Sequence, residues 1–443
     1  MLDPDRAQRL AQIVLEESGA DETEVCVTQY EEELNRFTAD HPVQNLVRRM
    51  ANVAVRVRSN GREGKASTGT PTEDAVRTTV RRAIEAAGHM PAGEFVPMAG
   101  PQENYRLRRP DPLTPDPDHT ADAVARMTGA CRDAGCTAAG IQGVENDLRL
   151  IANSNGLSVW DLDTRARASL SVFADEGAGW ADGLCAGRDA LDVDAIARRA
   201  VGKALASRTP HGVDPGEYTV VLEPAAVASL LLFAAYKGFG AQQVQDGSSF
   251  LAGKAGERVA HESVSIDDDV YNPLTVGHVF DGEGMPRSSV ALIEHGVARG
   301  LVHDRRTAQK QGCRSTGHAL PQPNVSGPLP ANIVMSSGAG ETEDLIKDVD
   351  RGILITEFHY TNMVEPTKLT LTGMTRNGTF LIENGVVTRP IKNMRFTQSL
   401  VEALERVSGL GGDARLASAL FGGYTVVPSL RVDGFRFTSR TDF

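Results

Sequence analysis

The stretch Leu369-Thr370-Leu371-Thr372-Gly373-Met374-Thr375-Arg376-Asn377-Gly378-Thr379-Phe380-Leu381-Ile382-Glu383-Asn384-Gly385-Val386-Val387-Thr388-Arg389-Pro390-Ile391 carries two Asn-Gly dipeptides between runs of alternating character. Asn-Gly is a strong hairpin signal, because both residues tolerate the positive φ that a two-residue turn requires. The spacing predicts strands over residues 369–375, 379–382 and 386–391. Joined at Arg376-Asn377-Gly378 and Glu383-Asn384-Gly385, they read as an antiparallel meander. Further upstream a strand over residues 218–222 runs into an apolar helix opened by Pro224. The nearly apolar run 225–235 is roughly half the length a membrane helix needs, so it reads as a buried helix.

Toward the amino terminus the pattern changes. Residues 5–18 place Leu10, Ile13 and Val14 on one helical face, and Gly19 closes the helix. Strands are predicted near 24–30, 32–38, 53–58 and 63–68, with Ser59-Asn60-Gly61 as a hairpin turn, followed by a helix from Pro71-Thr72-Glu73-Asp74 to Ala87. After the Pro-rich stretch 109–117 the order recurs. A helix over 121–134 precedes strands near 137–144 and 149–152, a Ser154-Asn155-Gly156 turn, strands over 157–173 and 177–186, and a helix over 193–206. The chain thus reads as α+β: an amino-terminal α+β domain (1–210) using a helix–four-strand–helix unit twice (1–90 and 118–207), and a β-rich antiparallel domain (217–443). Residues 207–216, with Pro210, Gly212, Pro215 and Gly216, form the linker.

The 443 residues carry 46 basic and 58 acidic groups, a net charge of −12. That balance argues against nucleic acid as a partner, which needs a basic stripe to release counterions. Arg305-Arg306 and the cluster at 106–109 are too short to alter it. The start, Met1-Leu2-Asp3-Pro4-Asp5-Arg6, lacks the cationic and apolar segments of a signal peptide, so a cytoplasmic location is expected. Cys26, Cys131, Cys136, Cys185 and Cys313 include no CxxC pair, and free, mostly buried thiols are expected.

Chemical motifs are scarce. None of the ten histidines forms an HExxH pattern. His261-Glu262 starts like one, but residues 263–266 bring no second histidine and alternate like a strand. Asp267-Asp268-Asp269 lacks the spacing of a calcium loop and reads as a solvated turn. No G-x-S-x-G elbow exists, and Cys313 beside His318 reads as structural. Gly409-Leu410-Gly411-Gly412 follows a predicted helix, the wrong context for a dinucleotide turn, and Ser337-Gly338-Ala339-Gly340 reads as a turn capped by Glu341 and Glu343. The residues alone give a two-part α+β protein without a catalytic constellation.

One resemblance adds to this reading. Phe280-Asp281-Gly282-Glu283-Gly284, Leu292-Ile293-Glu294-His295-Gly296-Val297, His303-Asp304-Arg305-Arg306-Thr307-Ala308 and Ser315-Thr316-Gly317-His318-Ala319 fall in order before Leu371-Thr372-Gly373-Met374-Thr375-Arg376-Asn377-Gly378. Leu381-Ile382-Glu383-Asn384-Gly385 and Arg395-Phe396-Thr397-Gln398-Ser399 follow. In order and spacing these segments resemble the TldD/PmbA family of peptidases, actinobacterial members above all. In that family, TldD-type subunits bind the catalytic zinc through an HExxxH helix and a later cysteine. The matching helix here reads Leu230-Leu231-Leu232-Phe233-Ala234-Ala235-Tyr236-Lys237-Gly238-Phe239, with no histidine between His211 and His261 and no cysteine after Cys313. The resemblance therefore implies a TldE/PmbA-type subunit with no catalytic or metal residues of its own.

It further implies a zinc-bearing TldD-like partner and an unfolded peptide substrate, leader peptides included. The competing expectation is a stand-alone homodimeric enzyme, or a subunit recruited to a specialised-metabolite pathway, with His303, Asp304 and His318 as its candidate groups. Under the first reading the β-rich half supplies most of a peptide chamber, and His303, Arg305 and His318 are its polar groups, since hairpin turns and strand ends present such groups well.

Overall fold

The computed structural model describes residues 2–39, 41–103, 111–419 and 423–441. The basic cluster at 106–109 and the start of the Pro-rich stretch lie outside them. The amino-terminal lobe contains α1 (Pro4–Glu17), β1 (Glu22–Thr38), β2 (His41–Ser59), β3 (Arg62–Thr68) and α2 (Glu73–His89). A second set follows: α3 (Pro117–Asp133), β4 (Thr137–Asn153), β5 (Ser158–Ala174), β6 (Gly177–Cys185) and α4 (Val193–Ala206). Its six strands form one sheet in the order β3-β2-β1-β4-β5-β6. Two helix–three-strand–helix units are thus joined edge to edge by the antiparallel β1–β4 pair.

Each unit has three strands where four shorter ones were expected, and the cause is local. The expected break falls at Glu31, yet the carboxylates of Glu31, Glu32 and Glu33 are all buried inside β1. Each has a cationic or hydroxyl partner: Arg49 for Glu31, Arg48 and Arg167 for Glu32, and the Thr120 hydroxyl for Glu33. Cross-strand pairing of this kind lets a charged run stay in a strand. Glu145-Asn146-Asp147 is carried through β4 in the same way. Helices α1 and α2 cover one end of the sheet through Leu10, Val14, Val76 and Val80 against Val25, Val55 and Leu150. Helices α3 and α4 cover the other end through Met127 and Ile196 against Leu170 and Val172. Gly64 makes the α2 contact so close that an added Cβ would lie 2.3 Å from the Ala83 carbonyl oxygen.

The carboxy-terminal lobe begins with β7 (Gly216–Leu222), α5 (Pro224–Lys237) and α6 (Ala241–Gln245). Then come β8 (Ile266–Asp268), β9 (Val290–Glu294), β10 (Val297–Ala298), α7 (Arg305–Gln311), β11 (Ile333–Met335) and α8 (Thr342–Lys347). The remainder is β12 (Arg351–Glu365), β13 (Thr370–Glu383), β14 (Val386–Pro390), β15 (Met394–Ser399), α9 (Leu400–Glu405) and β16 (Val407–Leu410). It ends with β17 (Arg415–Ser418), β18 (Tyr424–Val427) and β19 (Leu430–Arg440). One sheet runs β10-β9-β8-β11-β18-β17, and another runs β12-β7-β19-β15-β13-β14 and closes on itself through β12–β13. Most pairs are antiparallel, whereas β7–β12 and β11–β18 are parallel.

The Glu383–Gly385 turn forms as expected, with Asn384 and Gly385 at φ 52° and 76°. Arg376–Gly378 does not turn. Strand β13 passes straight through it, with Asn377 and Gly378 at positive φ and the register to β12 shifted between Ile355 and Glu357. Both halves of β13 pair with β12, so the Asn-Gly dipeptide forms a bulge, which also needs positive φ. Among the described residues no helix is long and apolar enough to cross a membrane.

Candidate functional site

Helix α5 is buried along nearly its whole length, and Leu230, Leu231, Phe233 and Ala234 enter the main carboxy-terminal core. Among the described residues its only side-chain hydrogen bond is internal, from Ser229 Oγ to the Ala225 carbonyl at 2.9 Å. Zinc needs three or four convergent nitrogen, sulfur or oxygen ligands, and α5 projects none. Among the described residues no group of three or more His, Cys, Asp and Glu could hold a metal ion. The residues present on this helix do not fit a catalytic zinc.

Polar chemistry is concentrated elsewhere. His318 is 1% exposed, with Nε2 2.8 Å from Asp268 Oδ1 and Nδ1 2.9 Å from Thr316 Oγ1. Thr316 Oγ1 also accepts from the His303 backbone N–H at 2.7 Å, which ties His303 to His318. The Asp268 carboxyl is buried, but the His318 ring and the N–H of Asn332 hold it below the ordinary carboxylate range. His303 is 6% exposed, its Nδ1 has no hydrogen-bond partner among the described residues, and burial lowers its pKa despite the neighbouring Asp304 carboxylate. Asp304 caps α7 by accepting from Thr307 N at 2.7 Å. Arg305 opens α7, donates its backbone N–H to Glu283 and reaches across to the Pro97 carbonyl of the other lobe.

The structure therefore joins His303 and His318 in one chain of contacts and places Arg305 on the adjoining lobe seam. His318 has both ring nitrogens engaged and no exposed side-chain surface, so it can act on a ligand only through its neighbours. Asp268, read as part of a solvated turn, is a buried strand residue. The signal was present: Val264, Ile266, Asp268 and Val270 alternate with their neighbours and are all buried. Of the five free thiols expected to be mostly buried, only Cys131 and Cys136 are; Cys26 and Cys185 are half-buried and Cys313 is exposed.

A second polar layer lies where the lobes meet. His278 Nε2 is 3.2 Å from Asp147 Oδ2 and its Nδ1 is 3.6 Å from Asp161 Oδ2, close enough for ion pairing though neither contact has hydrogen-bond geometry. Burial opposes charge on this ring, yet the two carboxylates raise its pKa above the ordinary histidine value. Asp161 and Asp163 also accept from the backbone of Val279 and Gly277. Glu283 and Glu357 are each pushed up to about 7 by burial, Glu283 with added repulsion from Asp281, and Glu357 against a 2.6 Å hydrogen bond from Asn377. A groove of about 1240 Å³ opens beside this seam, lined by 111–117 and 184–190 of one lobe and 271–275, Arg415 and Leu416 of the other. Sequence reasoning missed His278, Glu357 and this groove, because each arises from contacts between distant segments.

The model of the PmbA/TldA metallopeptidase C-terminal domain matches residues 215–439, and that of the central domain matches residues 110–208. A metalloprotease from Methanothermobacter thermautotrophicus is 26% identical over 282 residues, 61% of this chain and 61% of its own. A metalloprotease TldD homolog from Buchnera aphidicola is 27% identical over 285 residues, 60% of this chain and 59% of its own. The chain thus spans about three fifths of the length of these two relatives. The metalloprotease PmbA of Escherichia coli is 22% identical over 398 residues, 86% of this chain and 85% of that one. In three dimensions the chain is similar to TldE from Thermococcus kodakarensis, with TM-score 0.87, 23% identity, and 98% and 100% of the two chains covered.

Proposed function

Because the chain belongs to the PmbA/TldD metallopeptidase family, we propose that it is a zinc-free TldE-type subunit that pairs in the cytoplasm with a zinc-bearing TldD-type chain. The pair would degrade or trim unfolded peptides, leader peptides included. The observation that carries this reading is the apolar burial of α5 where the family resemblance places the zinc ligands. A zinc-activated water needs protein ligands that converge on the metal. With none on this helix, the proposal assigns both zinc and nucleophile to the partner.

Strand β2 supports the need for a second chain. Strand β3 pairs only with residues 53–59 of β2, so among the described residues the outer edge of 41–52 has no partner strand. Val43, Val47 and Met50 on that segment are 57%, 47% and 47% exposed. A long open edge with apolar side chains invites pairing and is normally covered or blunted. The proposal assigns this edge to the TldD-type subunit. His303 and Arg305 are proposed to face the peptide chamber of the pair, with His318 as a positioning residue that acts on His303 through Thr316.

The test is purification of this chain alone and with the TldD-type chain of the same genome, followed by elemental analysis. The expected result is a stable pair with zinc stoichiometric to the TldD-type chain and none on this chain alone. Stoichiometric zinc on this chain that survives dialysis against a mild chelator would overturn the proposal.

A further inference from the structure

Beneath the lobe seam lies a cavity of about 170 Å³ that the reading above does not use. Its floor is one face of the amino-terminal sheet. Cross-strand pairing sets Asn52, Thr28 and Arg149 in one row, and Ala54, Cys26 and Ile151 in the next. Ala54, Cys26 and Thr28 are small, and this keeps the middle of the floor low. Gly282, Pro321 and Gln322 of the other lobe lie over it. The cover is held tightly: Gly282 N donates to Ala319 O and Ala319 N donates to Asp281 Oδ2, both at 2.8 Å. A Cβ at residue 282 would lie 2.3 Å from the Leu320 carbonyl, so only glycine allows the cover segments to meet there.

The polar groups around this space are mostly donors. Glu24 is the only carboxylate in the lining. Both its oxygens are engaged by Arg56, at 3.0 and 2.8 Å, and Arg56 also binds Glu63. That group is closed. Lys65 donates to the Gln322 carbonyl across the seam and keeps two ammonium protons. Among the described residues the side chains of Arg149, Asn52 and Thr28 make no hydrogen bond or close ion pair, although the Arg149 charge acts on the Asp147 carboxylate. Outside the lining, Asp147 lies 3.2 Å from His278 and Glu283 accepts from the Arg305 backbone N–H. The lining charges sum to a surplus of two cations, with every lining carboxylate oxygen already committed.

We propose that this cavity binds a small oxyanion of phosphate or carboxylate size, with Arg149 as its principal ligand and Lys65, Asn52 and Thr28 as further donors. A planar guanidinium offers paired N–H groups to two oxygens of such an anion, and partial enclosure strengthens the charge-assisted bonds. The surface alternative, two solvated cations without a ligand, does not account for the floor of small side chains or the fixed cover above it. The two sources of this chemistry are free inorganic phosphate and the terminal carboxylate of a peptide. The inference does not rest on the zinc-free reading.

The experiment is calorimetric titration of the full chain at constant ionic strength with inorganic phosphate, with acetate, and with a short peptide carrying a free or amidated terminus. One saturable site is expected for phosphate, or for acetate and the free-terminus peptide but not the amidated one; the first result identifies a phosphate source and the second a carboxylate source. Arg149→Gln should weaken that binding at least tenfold, and Lys65→Met should weaken it less. Lys65 is exposed at the edge, so K65M keeps the test decisive should R149Q fold poorly. If neither anion binds saturably above chloride, or both variants bind as the wild type does, the site does not exist.

Discussion

Helix α5 and the lobe seam are both deeply buried, and they are built from opposite materials. Around α5 the interior is aliphatic and aromatic, continuous from Leu230, Leu231 and Phe233 to Phe358, Phe396 and Phe435. At the seam the interior is ionic, with His278 between two carboxylates and Asp163 beside Arg165. Burying charge is costly unless it is paired, so a chain keeps such groups where they fix geometry or function. The contrast is one of residues: apolar side chains stand where the family resemblance puts a metal, and paired polar groups stand where the two lobes meet.

The sharpest way to break the contrast is to compare one residue from each kind of interior. Asp268→Ala leaves the wholly buried His318 without its carboxylate and strands the N–H groups of Ala331 and Asn332. Urea denaturation should show a loss of about 3–5 kcal/mol. Leu231→Ala removes only packing from α5 and should cost about 3 kcal/mol by the same measurement. If Asp268→Ala costs less than 1 kcal/mol, the ionic contacts at His318 are ornamental and the comparison fails.

The next effect is one of pH. Burial pushes the Glu357 carboxyl up to about 7 from its ordinary value of 4.5. The folded state therefore keeps a proton that the unfolded chain releases, so this contribution is complete below pH 4.5 and is lost as pH rises through 7. Glu357→Gln should gain stability relative to the wild type between pH 5 and pH 8, on the order of 2 kcal/mol. Equal pH profiles for the two proteins would show that Glu357 titrates normally. The smallest effect on the isolated chain is expected at the β2 edge. Val47→Asp should change stability by less than about 0.5 kcal/mol, since surface substitutions seldom do more. In size-exclusion chromatography with the TldD-type chain, however, it should reduce pairing at least tenfold. Unimpaired pairing would move the interface away from β2.

How much of this was legible in sequence follows from the range of the interactions. Residues 193–206 form a helix with the bounds expected, because Asp192 caps it and its apolar spacing is local. The Asn60-Gly61 and Asn384-Gly385 turns formed for the same reason, with positive φ at all four residues. Asn377-Gly378 carries the same local signal but became a bulge, because pairing with β12 decides its role. The break expected at Glu31 misled in the opposite direction, since Arg49, Arg167 and Thr120, the partners of Glu31, Glu32 and Glu33, lie 18, 135 and 87 residues away. His303, Arg305 and His318 were singled out through their motifs, and the structure links the first and last of them through Thr316. Asp268, which sets the environment of His318, lies 50 residues from it and needed the fold to be recognised.

The central claim, that this chain contributes to a peptidase without carrying its metal, is tested most directly by one assay. Cleavage of an unfolded peptide is measured for the chain alone, for the TldD-type chain alone and for their mixture, with and without chelator. The account predicts no cleavage by this chain, and chelator-sensitive cleavage by the mixture that exceeds that of the TldD-type chain alone. Robust chelator-sensitive cleavage by this chain alone would contradict it.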